Sequence, residues 1–158
     1  VSAIKSISLW QPWASLWLSP NKRHETRHWA TSHRGRLLVH ATKKFVKDID
    51  GPLRGILEEE FGGHWATELP VGAIIGMVDL IDVIPTEEIY ADEIADLADD
   101  EQIDIACGDF AEGRFGWRRG TYWVFREPIA YRGRQSLFSV PHEIVAAQLA
   151  TAKEVGGA

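Results

Sequence analysis

The sequence is poorest in cysteine: Cys107 stands alone in 158 residues. An internal disulfide framework is therefore excluded, and the composition fits a reducing compartment. Cys107 also lies in an acidic stretch with no basic neighbour in sequence to lower its pKa, which argues against a thiolate nucleophile. No apolar run reaches the roughly 18 residues that a membrane-spanning helix needs. The first residues lack the charged-then-apolar order of a signal segment, and the expected location is the cytoplasm. Phosphate-cradling glycine loops and dinucleotide fingerprints are missing. His24 and His28 are four apart, but on an extended segment they stand too far from one another to share an ion, and no Cys or carboxylate cluster completes a site. Neither a metal nor another cofactor is expected.

What is present is one domain's length of ordinary globular composition, with seven tryptophans. Residues 1–158 show no linker, repeat or low-complexity segment, so a single domain with its own core is expected. The net charge of −6 argues against a protein that coats nucleic acid indiscriminately, but the charge is unevenly distributed. Between Lys22 and Lys47 stand eight Lys or Arg against Glu25 alone. Between Asp79 and Glu112 stand thirteen Asp or Glu and no Lys or Arg, and from Arg114 to Arg134 six Arg face only Glu127. Two basic blocks around an acidic one suggest a binding face and a solvated counter-face.

Alternation over Lys5–Leu9 predicts a short strand, and Gln11-Pro12 opens a helix whose Trp13 and Trp17 share an apolar face. Gly35–Ala41 reads as a strand, Lys43–Phe61 as mostly helix interrupted at Asp50-Gly51-Pro52, and Glu68–Pro70 as a turn. The apolar run Val71–Ile84 predicts a long bent strand buried on both faces. Thr86 is placed as the cap of an acidic helix with a Tyr90, Ile94, Leu97 stripe. Gly108–Gly120 reads as loop, and Thr121–Arg126 as an aromatic-rich strand that Pro128–Tyr131 extends at an edge. Ser136–Val140 is a last strand before a helix opened by Pro141, with a frayed tail over Val155–Ala158. The fold class is α+β: a small mixed barrel of about five or six strands with surrounding helices.

The segment Lys22-Arg23-His24-Glu25-Thr26-Arg27, just after the Pro20-Asn21 turn, is the chemically richest. On a strand, Glu25 and Arg27 point to one face, and Lys22 has the reach to lean over it. Arg grips oxygens bidentately, Lys supplies a point charge, and the carboxylate orients both or accepts a proton. The plainer alternative is a surface strand whose charges pair with one another and with water. Trp10, Trp29 and Trp117, at element ends or in loops, are candidates for stacking on unpaired bases, whereas Trp13, Trp17 and Trp123 are assigned to the core.

Ser8-Leu9-Trp10-Gln11-Pro12-Trp13-Ala14, Lys22-x-x-Glu25-x-Arg27, Arg34-Gly35-Arg36-Leu37-Leu38-Val39-His40-Ala41 and Arg132-Gly133-Arg134-Gln135 occur in that order. Together they resemble the ASCH domain family over nearly the whole chain. The resemblance implies a PUA-like β-barrel whose groove binds RNA or a nucleotide, and links to RNA metabolism, ribonuclease activity or hydrolysis of acylated nucleosides. The family hallmark Gly-x-Lys-x-x-Glu-x-Arg falls on Lys22, Glu25 and Arg27. Pro20 replaces its glycine and fixes φ in the turn that presents Lys22. The nucleoside-amidohydrolase members carry a threonine where this chain has Glu25, and Thr26 points to the other face.

Three functions remain open from the sequence. The first is binding of single-stranded RNA, a nucleotide or a nucleoside, with Arg27 and Arg23 on phosphate or base edges and Trp10 and Trp29 stacking. In that reading Arg34, Arg36, Arg132 and Arg134 extend the groove, and Arg114, Arg118 and Arg119 are further candidates. The second is metal-independent hydrolysis of RNA or a modified nucleoside, with Glu25 as general base and Lys22 stabilising developing charge or itself the base. Ser15, Ser136 and Tyr122 are the hydroxyls considered there. The third is a protein-interaction module docking through the acidic helix over Glu87–Asp104. For RNA binding, that helix is expected to sit away from the groove or to cover it.

Overall fold

The apolar run after Gly72 and the aromatic-rich stretch after Arg114 become the two longest strands, and the other elements are arranged on them. The computed structural model describes residues 3–90 and 92–155. In chain order the elements are β1 (Ala3–Gln11), α1 (Trp13–Trp17), β2 (His24–Arg27), β3 (Gly35–Phe45), α2 (Gly51–Phe61), α3 (Trp65–Glu68) and β4 (Ala73–Pro85). Then follow α4 (Asp99–Ala106), β5 (Phe115–Ala130), β6 (Phe138–Pro141), α5 (His142–Thr151) and β7 (Lys153–Val155).

Among the described residues the strands form one seven-stranded sheet in the order β2-β5-β4-β3-β1-β6, with β7 added on β5. All pairs are antiparallel except β1 with β3. The class is α+β, as the pattern predicts, but β2 and β6 remain unjoined edges, so the sheet is strongly bent without closing as a barrel. The bending is visible as register shifts along β4 and at Val39/His40 of β3. At Gly76 a Cβ would collide with the Trp123 carbonyl oxygen, which is why the β4–β5 approach takes glycine there.

Strand alternation sorts the core into layers. Ile7 and Leu9 of β1 pack with Leu37, Val39 and Ala41 of β3, under Trp17 of α1 and Trp117 of β5. On the other face Ile4, Leu38, Ile74, Met77 and Phe138 pack with Val145 of α5. A third cluster joins Leu16, Leu57, Trp65 and Cys107, fixing α2 and α3 against the outer side of α1.

Several local expectations differ from the structure. Lys43–Phe45 continues β3 rather than starting a helix, because Gln11 of β1 offers Phe45 a ladder partner. Gly51-Pro52 is the start of α2, not a break within a longer helix, with proline in the first turn where no hydrogen bond is lost. Residues 86–104 do not form one helix: Thr86–Glu88 and Ile94–Asp96 are single 3₁₀ turns, and Tyr90 between them has φ 51°. Thr86 donates its hydroxyl to the Ala111 carbonyl instead of capping. Residues 115–120, read as loop, begin β5, which runs on past an exposed Pro128 to pair Ile129 and Ala130 with Ile74 and Ala73 of β4. Val155 pairs in β7, and residues 156–158 of the expected frayed tail lie outside the described residues. No described helix is long and apolar enough to cross a membrane.

Candidate functional site

The Pro20-Asn21 turn is held from two sides. The Asn21 backbone N–H bonds the Ser19 hydroxyl at 3.3 Å, and its side-chain amide donates to Glu60 of α2 at 2.8 Å. From this turn Lys22 enters the protein fully buried, despite the proline where the family hallmark has glycine. Its Nζ donates to the Cys107 carbonyl at 2.6 Å and pairs with Glu25 Oε1 at 3.3 Å. Cys107 is the residue after α4, so the ammonium supplies a donor to a carbonyl at the helix C-terminus. Glu25 Oε2 in turn accepts from Arg27 Nη1 at 3.3 Å. Lys22, Glu25 and Arg27 therefore form one chain of charges, with the carboxylate in the middle. Arg27 Nε is buried without a hydrogen-bonding partner.

The alternate residues of β2 face the other way. His24 Nδ1 contacts Asp104 Oδ2 of α4 at 2.7 Å, and Asp104 Oδ1 accepts the backbone N–H of both Arg23 and His24. Tyr90 donates its hydroxyl to the same carboxylate at 3.0 Å. Burial alone would raise the Asp104 carboxyl, but the hydrogen bond and charge of His24, the Lys22 ammonium and the Arg23 amide outweigh it and hold it low. Burial and the Asp104 charge push the Tyr90 phenol up to about 12. The Arg23 guanidinium pairs with Asp100. Residues 87–104 thus sit away from the open side of the motif, one of the two expected positions: α4 packs behind β2 and binds its back, and just beyond them Ala106, Gly108 and Asp109 reach the front.

In front of the motif two cavities meet. The smaller, about 540 Å³, is lined by Lys22, Glu25, Thr26, Trp13, Asp109 and Arg114 among others. The larger, about 1450 Å³, is lined by Trp29, Lys43, Tyr131, Arg132, Arg134 and their neighbours. Ser8, Trp10, Arg27 and His28 belong to both, which makes them the junction of a single two-chambered cleft. Among the described residues, the larger chamber has four Lys or Arg in its lining and no Asp or Glu. Trp10 stands 53% exposed at the junction with the Lys44 ammonium 5.4 Å from its ring centre. Trp29 is half-buried beneath the Arg27 guanidinium, 5.9 Å from its ring centre, and meets Trp117 edge-on at 4.8 Å.

Not every expected residue reaches the cleft. Arg23 turns away to Asp100. Arg34 donates to the Thr31 and His33 carbonyls and Arg36 is exposed at the start of β3, and neither lines a chamber. Trp117 is fully buried core with its indole N–H on the Trp29 carbonyl. Arg119 is also internal: it donates to the Trp17 and Ser19 carbonyls, and burial pulls it down to about 10. Cys107 is buried, and burial pushes its thiol up to about 11, which leaves it protonated and unreactive at neutral pH. No group of three His, Cys, Asp or Glu able to hold a metal occurs among the described residues.

The cleft also contains a pair that charge patterning does not reveal. Ser8 and His40 are direct register partners on β1 and β3. Ser8 Oγ lies 3.0 Å from His40 Nδ1, and His40 Nε2 lies 2.7 Å from the Tyr131 carbonyl oxygen. Burial lowers the His40 pKa, opposed by the bond to that carbonyl. The parallel pairing of β1 and β3, invisible in either strand alone, is what brings the two together.

The ASCH domain model matches residues 7–132. Activating signal cointegrator 1 of Homo sapiens is 33% identical over 97 residues, which is 58% of this chain and 16% of that protein. The Mus musculus protein of the same name matches with the same figures, so the chain spans about 16% of the length of these relatives. A crystal structure of ASCH from Zymomonas mobilis superposes with a TM-score of 0.54 at 17% identity, over 94% of this chain and 95% of that one. A point mutant of the same bacterial protein gives 0.53 at 16%, over 94% and 96%. At these identities the likeness is one of fold.

Proposed function

Since the chain belongs to the ASCH domain family, we propose that it is a binding domain for single-stranded RNA or a nucleotide, held in the two-chambered cleft around Lys22, Glu25 and Arg27. The observation that carries this reading is the larger chamber's lining: Arg27, Lys43, Arg132 and Arg134 with no carboxylate, beside the exposed Trp10 ring. An acid-free cationic chamber attracts phosphate, and an exposed indole next to it offers a base its π-face. Arg27 is placed to serve both chambers. Its Nη1 is oriented by Glu25, and its part-exposed guanidinium lies in the lining of both chambers. Glu25 keeps acceptor capacity beyond its two ion pairs for an exocyclic amine of a base in the smaller chamber. Lys22, pinned between Cys107 and Glu25, fixes that carboxylate and contributes field.

Fluorescence anisotropy of a mixed-sequence single-stranded RNA and of labelled mononucleotides, at low and moderate salt, tests the reading. Saturable binding that weakens with salt is expected, and Arg27→Ala should weaken it at least tenfold with an unchanged Tm. No binding of either ligand, or full binding by Arg27→Ala, would overturn it.

A further inference from the structure

We propose that Ser8 is the nucleophile of an esterase site in the larger chamber, with His40 as its base, acting on carboxylic esters that carry an anionic group. The Tyr131 carbonyl can only accept, so His40 Nε2 must carry a hydrogen at 2.7 Å from it. In a neutral imidazole that leaves Nδ1 as the acceptor, and the only arrangement consistent with the 3.0 Å contact has the Ser8 hydroxyl donating to it. This is nucleophile, base and orienting group in one line. His40 is buried at the wall of the larger chamber, while Ser8 lines both chambers.

A second observation concerns the backbone packed on the pair. A Cβ on Gly133 would lie 2.5 Å from Ser8 Oγ and 2.6 and 2.7 Å from His40 ring atoms. The Gly133 backbone therefore packs directly on the hydroxyl–imidazole contact and a side chain there would break it, while Oγ is approached from the chambers that Ser8 lines. The flanking residues are Arg132 and Arg134, which with Lys43 and Arg27 give the chamber its cations. Those charges select an anionic substrate and are the groups available to a developing oxyanion.

The step balances without a cofactor. Ser8 Oγ bonds the ester carbonyl carbon as its proton passes to His40 Nδ1, and the imidazolium keeps its Nε2–H on the Tyr131 carbonyl. Collapse of the tetrahedral adduct breaks the carbon–oxygen bond, and the leaving alcohol takes the proton from Nδ1. Water then attacks the acyl-serine, giving a proton to His40, which returns it to Ser8 Oγ as the acid departs. The net reaction is ester plus water to acid plus alcohol.

The full chain treated with a fluorophosphonate tests the nucleophile directly, because Oγ–P bond formation expels fluoride and leaves a mass adduct that peptide mapping assigns. Turnover of 4-nitrophenyl acetate and of mono-4-nitrophenyl succinate tests the substrate class. The expected result is an adduct on Ser8 of the unaltered protein, no adduct in Ser8→Ala, and turnover lowered about a hundredfold or more in His40→Gln. The anionic ester should be preferred at least tenfold in kcat/KM, and Arg134→Ala should erase that preference. Absence of an adduct at Ser8 in the unaltered protein, or turnover that Ser8→Ala retains, would overturn the proposal. RNA binding is read separately: binding without a Ser8 adduct removes only the esterase, and an adduct without binding removes only the RNA reading.

Discussion

Lys22→Met separates what the buried lysine does for the fold from what it does for a ligand. Methionine approximates the volume, so the change is chiefly the loss of charge and donors. It leaves the Cys107 carbonyl without its 2.6 Å donor and Glu25, only 6% exposed, with Arg27 as its one remaining partner. Removing one member of a buried pair costs about 3–5 kcal/mol because the other charge stays desolvated. Glu25 keeps Arg27 and borders the cleft, which puts the expected loss at the lower end, about 3 kcal/mol. For a domain of this size that is a Tm drop of about 6–12 °C, at about 2–4 °C per kcal/mol. Urea denaturation read by tryptophan fluorescence measures it, with an unchanged m confirming that the native state, not the unfolded one, has changed. The double variant Lys22→Met/Glu25→Gln removes the stranded carboxylate and should regain a large part of the loss. A single variant destabilised by less than about 1 kcal/mol, the size of an exposed pair, would refute the buried-clamp account. So would a double variant no more stable than the single one. Reduced RNA binding by a Lys22 variant is therefore interpretable only beside its stability, whereas Arg27 can be altered without opening the buried pair.

Trp10→Ala should weaken RNA binding by about 1–3 kcal/mol, roughly 5–150-fold, through lost stacking. Its ring is half in solvent, so Tm should hardly move, and unaltered affinity would remove Trp10 from the interface. Asp104 is held below 3.8 when folded, so unfolding takes up a proton that the native carboxylate does not hold. The stability it supplies is full above about pH 4 and is lost as pH falls through the folded value. Asp104→Asn should flatten the acid limb of a stability–pH curve, and an unchanged limb would show that the His24–Asp104 contact contributes nothing. Gly76→Ala should cost about 1–3 kcal/mol by overpacking, since its methyl meets the Trp123 carbonyl and the Leu18 side chain. An unchanged Tm would mean that β4 and β5 can separate freely there.

Elements governed by their own side-chain period were legible. The strands at Lys5–Leu9 and Gly35–Ala41, the run after Val71 and the helix after Pro141 all stand where alternation or a proline places them. Elements governed by partners were not. Residues 115–119 look like loop because glycines surround them, yet Gly116 lies in a strand with the Ile89 and His24 side chains packed against its Cα. Only the pairing of β5 with both β2 and β4 makes that stretch a strand. The stripe Tyr90, Ile94, Leu97 has helical spacing, but a continuous helix there would align many carboxylates without counter-charges. The chain breaks into turns, and only Asp99–Ala106, whose Asp100 and Asp104 reach Arg23 and His24, becomes an α-helix.

The same partnership explains how a chain of net charge −6 can present a chamber lined by cations. Reading the charge blocks as a face and a counter-face is half right, because the blocks meet across β2. Alternation turns His24 toward α4 and leaves Glu25 and Arg27 on the cleft side, while Arg23, just ahead of the strand, is taken up by Asp100. Asp104 is occupied by His24, Tyr90 and two backbone amides. These acids have their partners behind the sheet, and none lines the larger chamber. Charges beyond about 8 Å are largely screened at physiological ionic strength. The potential in that chamber is therefore set by Lys43, Arg132, Arg134 and an Arg27 paired with Glu25, drawn from both basic blocks, rather than by the total charge of the chain.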